Sequence, residues 1–81
     1  MKLTLITPSQ KPLAKEVEQV TIPGGAGSFA VLRDHADIVS TVVAGPLSYV
    51  SEGEEYTVET CGGTVRVADN EITVITPCLK G

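Results

Sequence analysis

Apolar and polar positions alternate with a period of two along most of this chain, the pattern of strands with one buried face. Met1 to Thr7 sets Leu3 and Leu5 on one side and Lys2 and Thr4 on the other. Pro8-Ser9-Gln10 reads as a turn. Pro12 to Lys15 reads as an edge strand, because Pro12 cannot donate a ladder hydrogen bond. Val17 to Ile22 places Val20 and Ile22 on one face. Pro23 and the glycines at 24, 25 and 27 then predict the end of that strand at Ile22 and a tight turn. Phe29 to Leu32 is a short apolar run, broken by Arg33-Asp34-His35. Ile38 to Val43 is another, closed by Gly45-Pro46. Leu47 to Val50 and Glu55 to Cys61 alternate on either side of Ser51-Glu52-Gly53-Glu54, a hairpin signal. Gly62-Gly63 predicts a bend or bulge.

The clearest hairpin pairs Thr64 to Val67 with Glu71 to Ile75. Val65 and Val67 face Ile72 and Val74 across Asp69-Asn70, residue types that tolerate the positive φ of a tight turn. Pro77 ends the last strand, and Cys78 to Gly81 reads as a tail. No segment sustains an apolar spacing of 3.6, so no helix is predicted. The pattern predicts an all-β fold, a two-layer antiparallel β-sandwich or flattened barrel of about nine or ten short strands. Its expected core includes Val20, Ile22, Leu32, Val42, Val58, Val65, Val67, Ile72 and Val74.

With 81 residues the chain makes one domain, residues 1–81. A chain this short buries only about 60% of its unfolded surface. The composition is that of a globular protein rich in Val, Ile and Thr, whose branched Cβ atoms favour strands. A net charge of −4 argues against nucleic acid, whose binders replace counterions with Lys and Arg, and against attraction to anionic lipid. No apolar run approaches the ~20 residues of a membrane-spanning helix, and Met1 to Leu5 is too short and too alternating for a signal peptide. A soluble cytosolic protein is expected, reaching a membrane only through a partner. Cys61 and Cys78, without a metal-binding pattern, are expected to be buried free thiols rather than a disulfide.

Candidate chemistry is sparse. Asp34-His35 beside Asp37 suggests an acid–base pair, but a hydrolase would also need Cys61 to reach His35. The Gly24 to Gly27 stretch lacks the helix and lysine of a phosphate loop, so a structural turn is expected. Glu52, Glu54 and Glu55 have too few companions at fixed spacing for a calcium loop. No catalytic, cofactor-binding or metal-binding residue is assigned. A general β-sandwich binding module is the alternative, which a deep apolar pocket would favour.

Two blocks of residues carry a family resemblance. Val17-Glu18-Gln19-Val20-Thr21-Ile22-Pro23-Gly24 precedes Gly27-Ser28-Phe29-Ala30-Val31-Leu32, then His35-Ala36 and Gly45. Further on stands Gly62-Gly63-Thr64-Val65-Arg66-Val67-Ala68-Asp69-Asn70-Glu71-Ile72-Thr73-Val74-Ile75. In order and spacing these resemble the N-terminal β-sandwich of the epsilon subunit of F-type ATP synthases, over nearly the whole chain. Ser28 stands where that family usually has Glu, Arg33-Asp34 where it has Pro-Gly, Asp37 and Ala44 where it has Pro, and Thr64 where it has an aromatic residue.

The resemblance implies a non-catalytic rotor subunit in the central stalk, binding the gamma subunit and the c-ring without a cofactor. It implies a monomer when isolated and a place on the cytoplasmic face of the membrane, held there through the complex. It points to Gly27, Ser28, Phe29, Arg33, Asp34, His35 and Asp37 as partner-binding residues, with Asp34 or Asp37 supplying the negative charge that Ser28 lacks. With only Pro77 to Gly81 after the last matching strand, neither the family's inhibitory helical hairpin nor ATP binding is expected.

Overall fold

The computed structural model describes residues 1–34 and 36–80. Eight strands follow in order: β1 (Lys2–Ile6), β2 (Leu13–Glu16), β3 (Gln19–Gly24), β4 (Gly27–Leu32), β5 (Ile38–Ser51), β6 (Glu54–Ala68), β7 (Glu71–Ile75) and β8 (Leu79–Lys80). No helix occurs among the described residues. The strands form one sheet in the order β2-β1-β7-β6-β5-β3-β4, with β8 added to β6. The count is close to that expected. It is lower because the stretches on either side of Gly45-Pro46 form one strand, as do those on either side of Gly62-Gly63.

These two long strands explain how one sheet makes two layers. Ile38 to Val42 and Thr64 to Ala68 pair in the layer that continues through β7, β1 and β2. Leu47 to Ser51 and Glu54 to Val58 pair in the layer that continues through β3 and β4. The strands bend between these halves, at Gly45 (φ 156°), Gly62 (φ 91°) and Gly63 (φ 137°). Both hairpin turns that flank β6 have two residues, each with positive φ: Glu52-Gly53 and Asp69-Asn70. That twist matches the twist of the flanking strands. Glu18 closes the first turn, its carboxylate accepting the N–H groups of Glu52 (3.1 Å) and Gly53 (3.0 Å). Just beyond that turn, the Glu54 carboxylate accepts a hydrogen bond from the exposed Tyr56 phenol, and its negative charge pushes the phenol's pKa up.

The core comes from rows of residues that share a face across the ladder. Leu3, Ile72, Val67 and Ile38 are successive cross-strand neighbours in one layer. Val31, Val20 and Tyr49 are neighbours in the other. Leu3, Leu5, Val20, Ile22, Val31, Leu47, Val65, Val67, Ile72 and Val74 are buried, as is Val42. Val58 is half-buried and packs against them.

The structure corrects four expectations. Leu32 is 53% exposed, whereas Val31 is fully buried; pairing of Val20 with Val31 fixes the parity of β4. β3 continues through Pro23 to Gly24, because its register against β5 shifts between Thr21 and Gly24, just where Pro23 has no N–H to give. Leu79–Lys80 is not a free tail but a short strand on Glu59 and Thr60. Cys61 and Cys78 are joined as a disulfide, with their Cα atoms 5.5 Å apart, and Cys61 is exposed. The return of the chain beside β6 creates that proximity, which the spacing of the two cysteines does not reveal.

Candidate partner-binding site

β4 organises the candidate site. It is an end strand of the sheet and, among the described residues, pairs with β3 alone. Gly25 and Ala26 form a two-residue turn between β3 and β4, and Gly27 opens the strand with φ 122°. The stretch around Gly24 to Gly27 is thus a hairpin followed by a strand, as the sequence suggests. Gly27 and Ser28 are exposed beside the turn, while Phe29 is half-buried against the core. At the opposite end, Arg33 and Asp34 form an exposed turn and Asp37 leads into β5. His35 lies outside the described residues.

The candidate residues therefore fall into two groups. Ser28 lies near the start of β4 and Arg33 follows its last residue, five positions on, so their backbones are separated by about 17 Å. Asp34 and Asp37 consequently cannot occupy the space of the side chain at position 28. Any negative charge they bring acts at the other end of β4.

That far end is tied down by the β6–β7 turn. The N–H of Asp34 donates to Asn70 Oδ1 (2.7 Å), and Asn70 Nδ2 donates to Asp34 Oδ1 (3.3 Å). The N–H of Asp69 donates to Asp37 Oδ1 (3.4 Å). Asn70 also anchors β1, its carbonyl accepting the Lys2 N–H at 3.1 Å. Asp69 and Asn70 are read from the sequence as a turn; their role in holding the loop depends on partners more than thirty residues away and leaves no local signal. From Asp37 the surface continues into a shallow cleft of about 190 Å³ that includes Val39 and Arg66. Val39 is 71% exposed. Arg33 instead lines a groove with Glu16, Glu18 and Glu52.

Asn70→Gly keeps the positive φ but removes the clamp, and should cost roughly 0.5–1 kcal/mol because these hydrogen bonds are exposed. Asn70→Ala adds about 1–2 kcal/mol for a left-handed alanine. Thermal melts should rank the variants in that order, and the Asp34 amide should lose its hydrogen-exchange protection in both.

In the bridged form the hydrolase alternative has no free thiol at Cys61, whose sulfur is bound to Cys78. A groove of about 370 Å³ lined by Leu5, Leu13, Lys15, Tyr49 and Leu79 lies on another part of the surface. Lys15 is exposed and Leu13 is 41% exposed, so its rim is open to water.

The chain is similar to known proteins over nearly its whole length. Residues 1–78 match the family model described as the ATP synthase delta/epsilon chain, beta-sandwich domain. The ATP synthase epsilon chain of Desulfitobacterium hafniense (strain DSM 10664 / DCB-2) is 34% identical over 73 residues, which is 90% of this chain and 55% of that protein. A chain in the Euglena gracilis mitochondrial ATP synthase structure, described as OSCP/F1/c-ring, superposes with a TM-score of 0.82 at 25% identity, covering 95% of this chain and 50% of that one. The fold is also that of a chain in the Tetrahymena thermophila mitochondrial ATP synthase central stalk/c-ring structure, with a TM-score of 0.81 at 21% identity, covering 96% of this chain and 63% of that one. The chain spans about half the length of the curated relatives it matches. With all but its last residues inside the family model, the chain belongs to the delta/epsilon β-sandwich domain family of ATP synthase.

Proposed function

We propose that this chain serves as the sandwich of a non-catalytic epsilon-type rotor subunit, which fastens the gamma subunit of an ATP synthase to its c-ring. The observation that carries the reading is the nearly end-to-end likeness to the chain in the Euglena structure, whose description names F1 and the c-ring. The work is mechanical, and a close-packed β core transmits strain with little give. The chain acts on the F1 side of the membrane, held there through the complex and without a cofactor.

The partner contacts lie at the two ends of β4. Gly27, Ser28 and Phe29 form one patch; Arg33, Asp34 and Asp37 form the other, with His35 between Asp34 and Asp37 in the sequence. Two patches about 17 Å apart suit a subunit that touches two partners. The clamp from Asn70 pre-orders the second patch, so less ordering entropy is lost on binding.

Mixing the chain with the gamma subunit and c-ring of the same organism should give a co-eluting complex on size exclusion. Asp34→Asn combined with Asp37→Asn keeps both hydrogen-bond acceptors and removes both charges. At low salt it should bind at least ~30-fold more weakly, since losing one partner of a buried charge pair costs about 2–5 kcal/mol. Absence of any complex at tens of micromolar overturns the rotor reading. Unchanged affinity of the double variant takes the two aspartates out of the interface and leaves that reading standing.

A further inference from the structure

The Cys61–Cys78 bridge lies apart in sequence from the proposed partner-binding residues, and its position gives it another role. Cys61 lies in β6 beside the bend at Gly62, and Cys78 immediately precedes β8. Between β7 and β8 the chain is held at several points. Thr76 N–H donates to the Ile6 carbonyl (3.0 Å), and the Thr7 hydroxyl donates to the Pro77 carbonyl (3.0 Å). The Cys78 carbonyl accepts the Thr76 hydroxyl (3.1 Å) and the Cys61 N–H (3.4 Å). Past Cys78 these anchors stop. β8 is two residues long, and among the described residues its strand pairing is with Glu59 and Thr60 of β6 alone.

Such a strand is too short to hold itself. Fixing each backbone residue costs conformational entropy, and strands ordinarily run to at least about three residues. What β8 gains is the packing of half-buried Leu79 against the core, in the groove it shares with Leu5, Tyr49 and Val58. The covalent bridge keeps Leu79 beside that groove.

We propose that Cys61 and Cys78 form a thiol-responsive latch that docks β8 when oxidised and releases it when reduced. Cys61 is exposed and Cys78 half-buried, so small thiols and disulfides reach the bridge. Exposed disulfides are the labile and regulatory ones, and in reducing compartments a disulfide that does form is usually transient and redox-sensing. The oxidant is a small-molecule disulfide such as glutathione disulfide. The Cys61 thiolate attacks one of its sulfurs, forming a mixed disulfide and releasing one glutathione thiolate. The Cys78 thiolate then attacks the Cys61 sulfur of the mixed disulfide and displaces the second glutathione. Two protein thiols lose two electrons and two protons, and one glutathione disulfide becomes two glutathiones. A reduced dithiol reverses both steps. Release of β8 uncovers the Leu5, Tyr49 and Val58 side of the groove while the remaining strands keep their pairing.

Hydrogen exchange of the full chain, read by mass spectrometry after treatment with glutathione disulfide or with dithiothreitol, tests the latch. The oxidised chain should be two mass units lighter. Its segment 78–80 should exchange at least tenfold more slowly than in the reduced chain, with segments from β1, β3 and β7 unchanged. Cys61→Ser and Cys78→Ser should each exchange like the reduced chain in either reagent. Reduction of the unmodified protein gives the same comparison if a variant folds poorly. A chain that keeps two free thiols in glutathione disulfide overturns the proposal, as does equal exchange of segment 78–80 in the bridged and reduced forms.

Discussion

Replacing Gly63 with alanine should destabilise the protein by roughly 3 kcal/mol or more, the sum of a strained backbone and a steric clash. Gly63 has φ 137°, a conformation that side-chain-bearing residues rarely adopt. A Cβ there would run into the carbonyl of Ile75, whose strand is hydrogen-bonded to β6 at the neighbouring Thr64. Backbone on both sides leaves no flexible side chain to move aside, so β6 and β7 must separate. A domain of this length has only about 4–12 kcal/mol to lose. The melting temperature should fall by more than about 10 °C, at about 4–8 °C per kcal/mol. Gly25→Ala is the control. It lies in the β3–β4 turn with nothing within 4 Å of the added Cβ and no positive φ, and should melt near the unmodified chain. Equal melting of the two variants would show that the bend in β6 does not need glycine.

Ile72→Ala should cost about 2–5 kcal/mol, through lost transfer energy and the cavity left behind. Ile72 is fully buried and stands between Leu3 of β1 and Val67 of β6, so the cavity opens where three strands meet. Urea titration should show the midpoint fall steeply with little change in slope. Leu32→Ala provides the contrast, since Leu32 lies on the outer side of the end strand and is 53% exposed. It should change stability by no more than ~0.5 kcal/mol. A larger effect at Leu32 than at Ile72 would contradict the parity of β4 described above.

That parity shows where the sequence is legible. Leu3 and Leu5, Val65 and Val67, and Ile72 and Val74 each alternate with polar residues, so their faces can be read directly. Phe29-Ala30-Val31-Leu32 is apolar at every position, and alternation cannot say which pair points inward. The answer lies in the pairing with β3, a tertiary fact. Gly45-Pro46 reads as the close of a strand and Gly62-Gly63 as a bend or bulge, because glycine and proline are weak strand residues. In the fold the two segments lie on adjacent strands, Gly45 opposite Thr60 and Gly63 opposite Val42, so both strands bend without losing their common register. The candidate site was legible as a stretch of chain but not as a surface. A strand carries its two ends apart, and the residues that clamp one of them come from a distant turn.

The parallel pairing of β1 with β7 also governs when the protein can fold. Leu3 and Leu5 leave the ribosome about 70 residues before their neighbours Ile72 and Val74. At a synthesis rate of roughly 5–20 residues per second, that is a wait of about 3–14 s. Until then β1 can pair only with β2, whose four residues are all exposed and offer no core to cover the two leucines. The sheet therefore closes late, in a step that must join β1 to β7 across the length of the domain, and such long-range pairings are intrinsically slow. Throughout that interval the apolar face of β1 is a substrate for chaperones and for other nascent chains, so the yield of this small protein depends on what meets those leucines before its own seventh strand does.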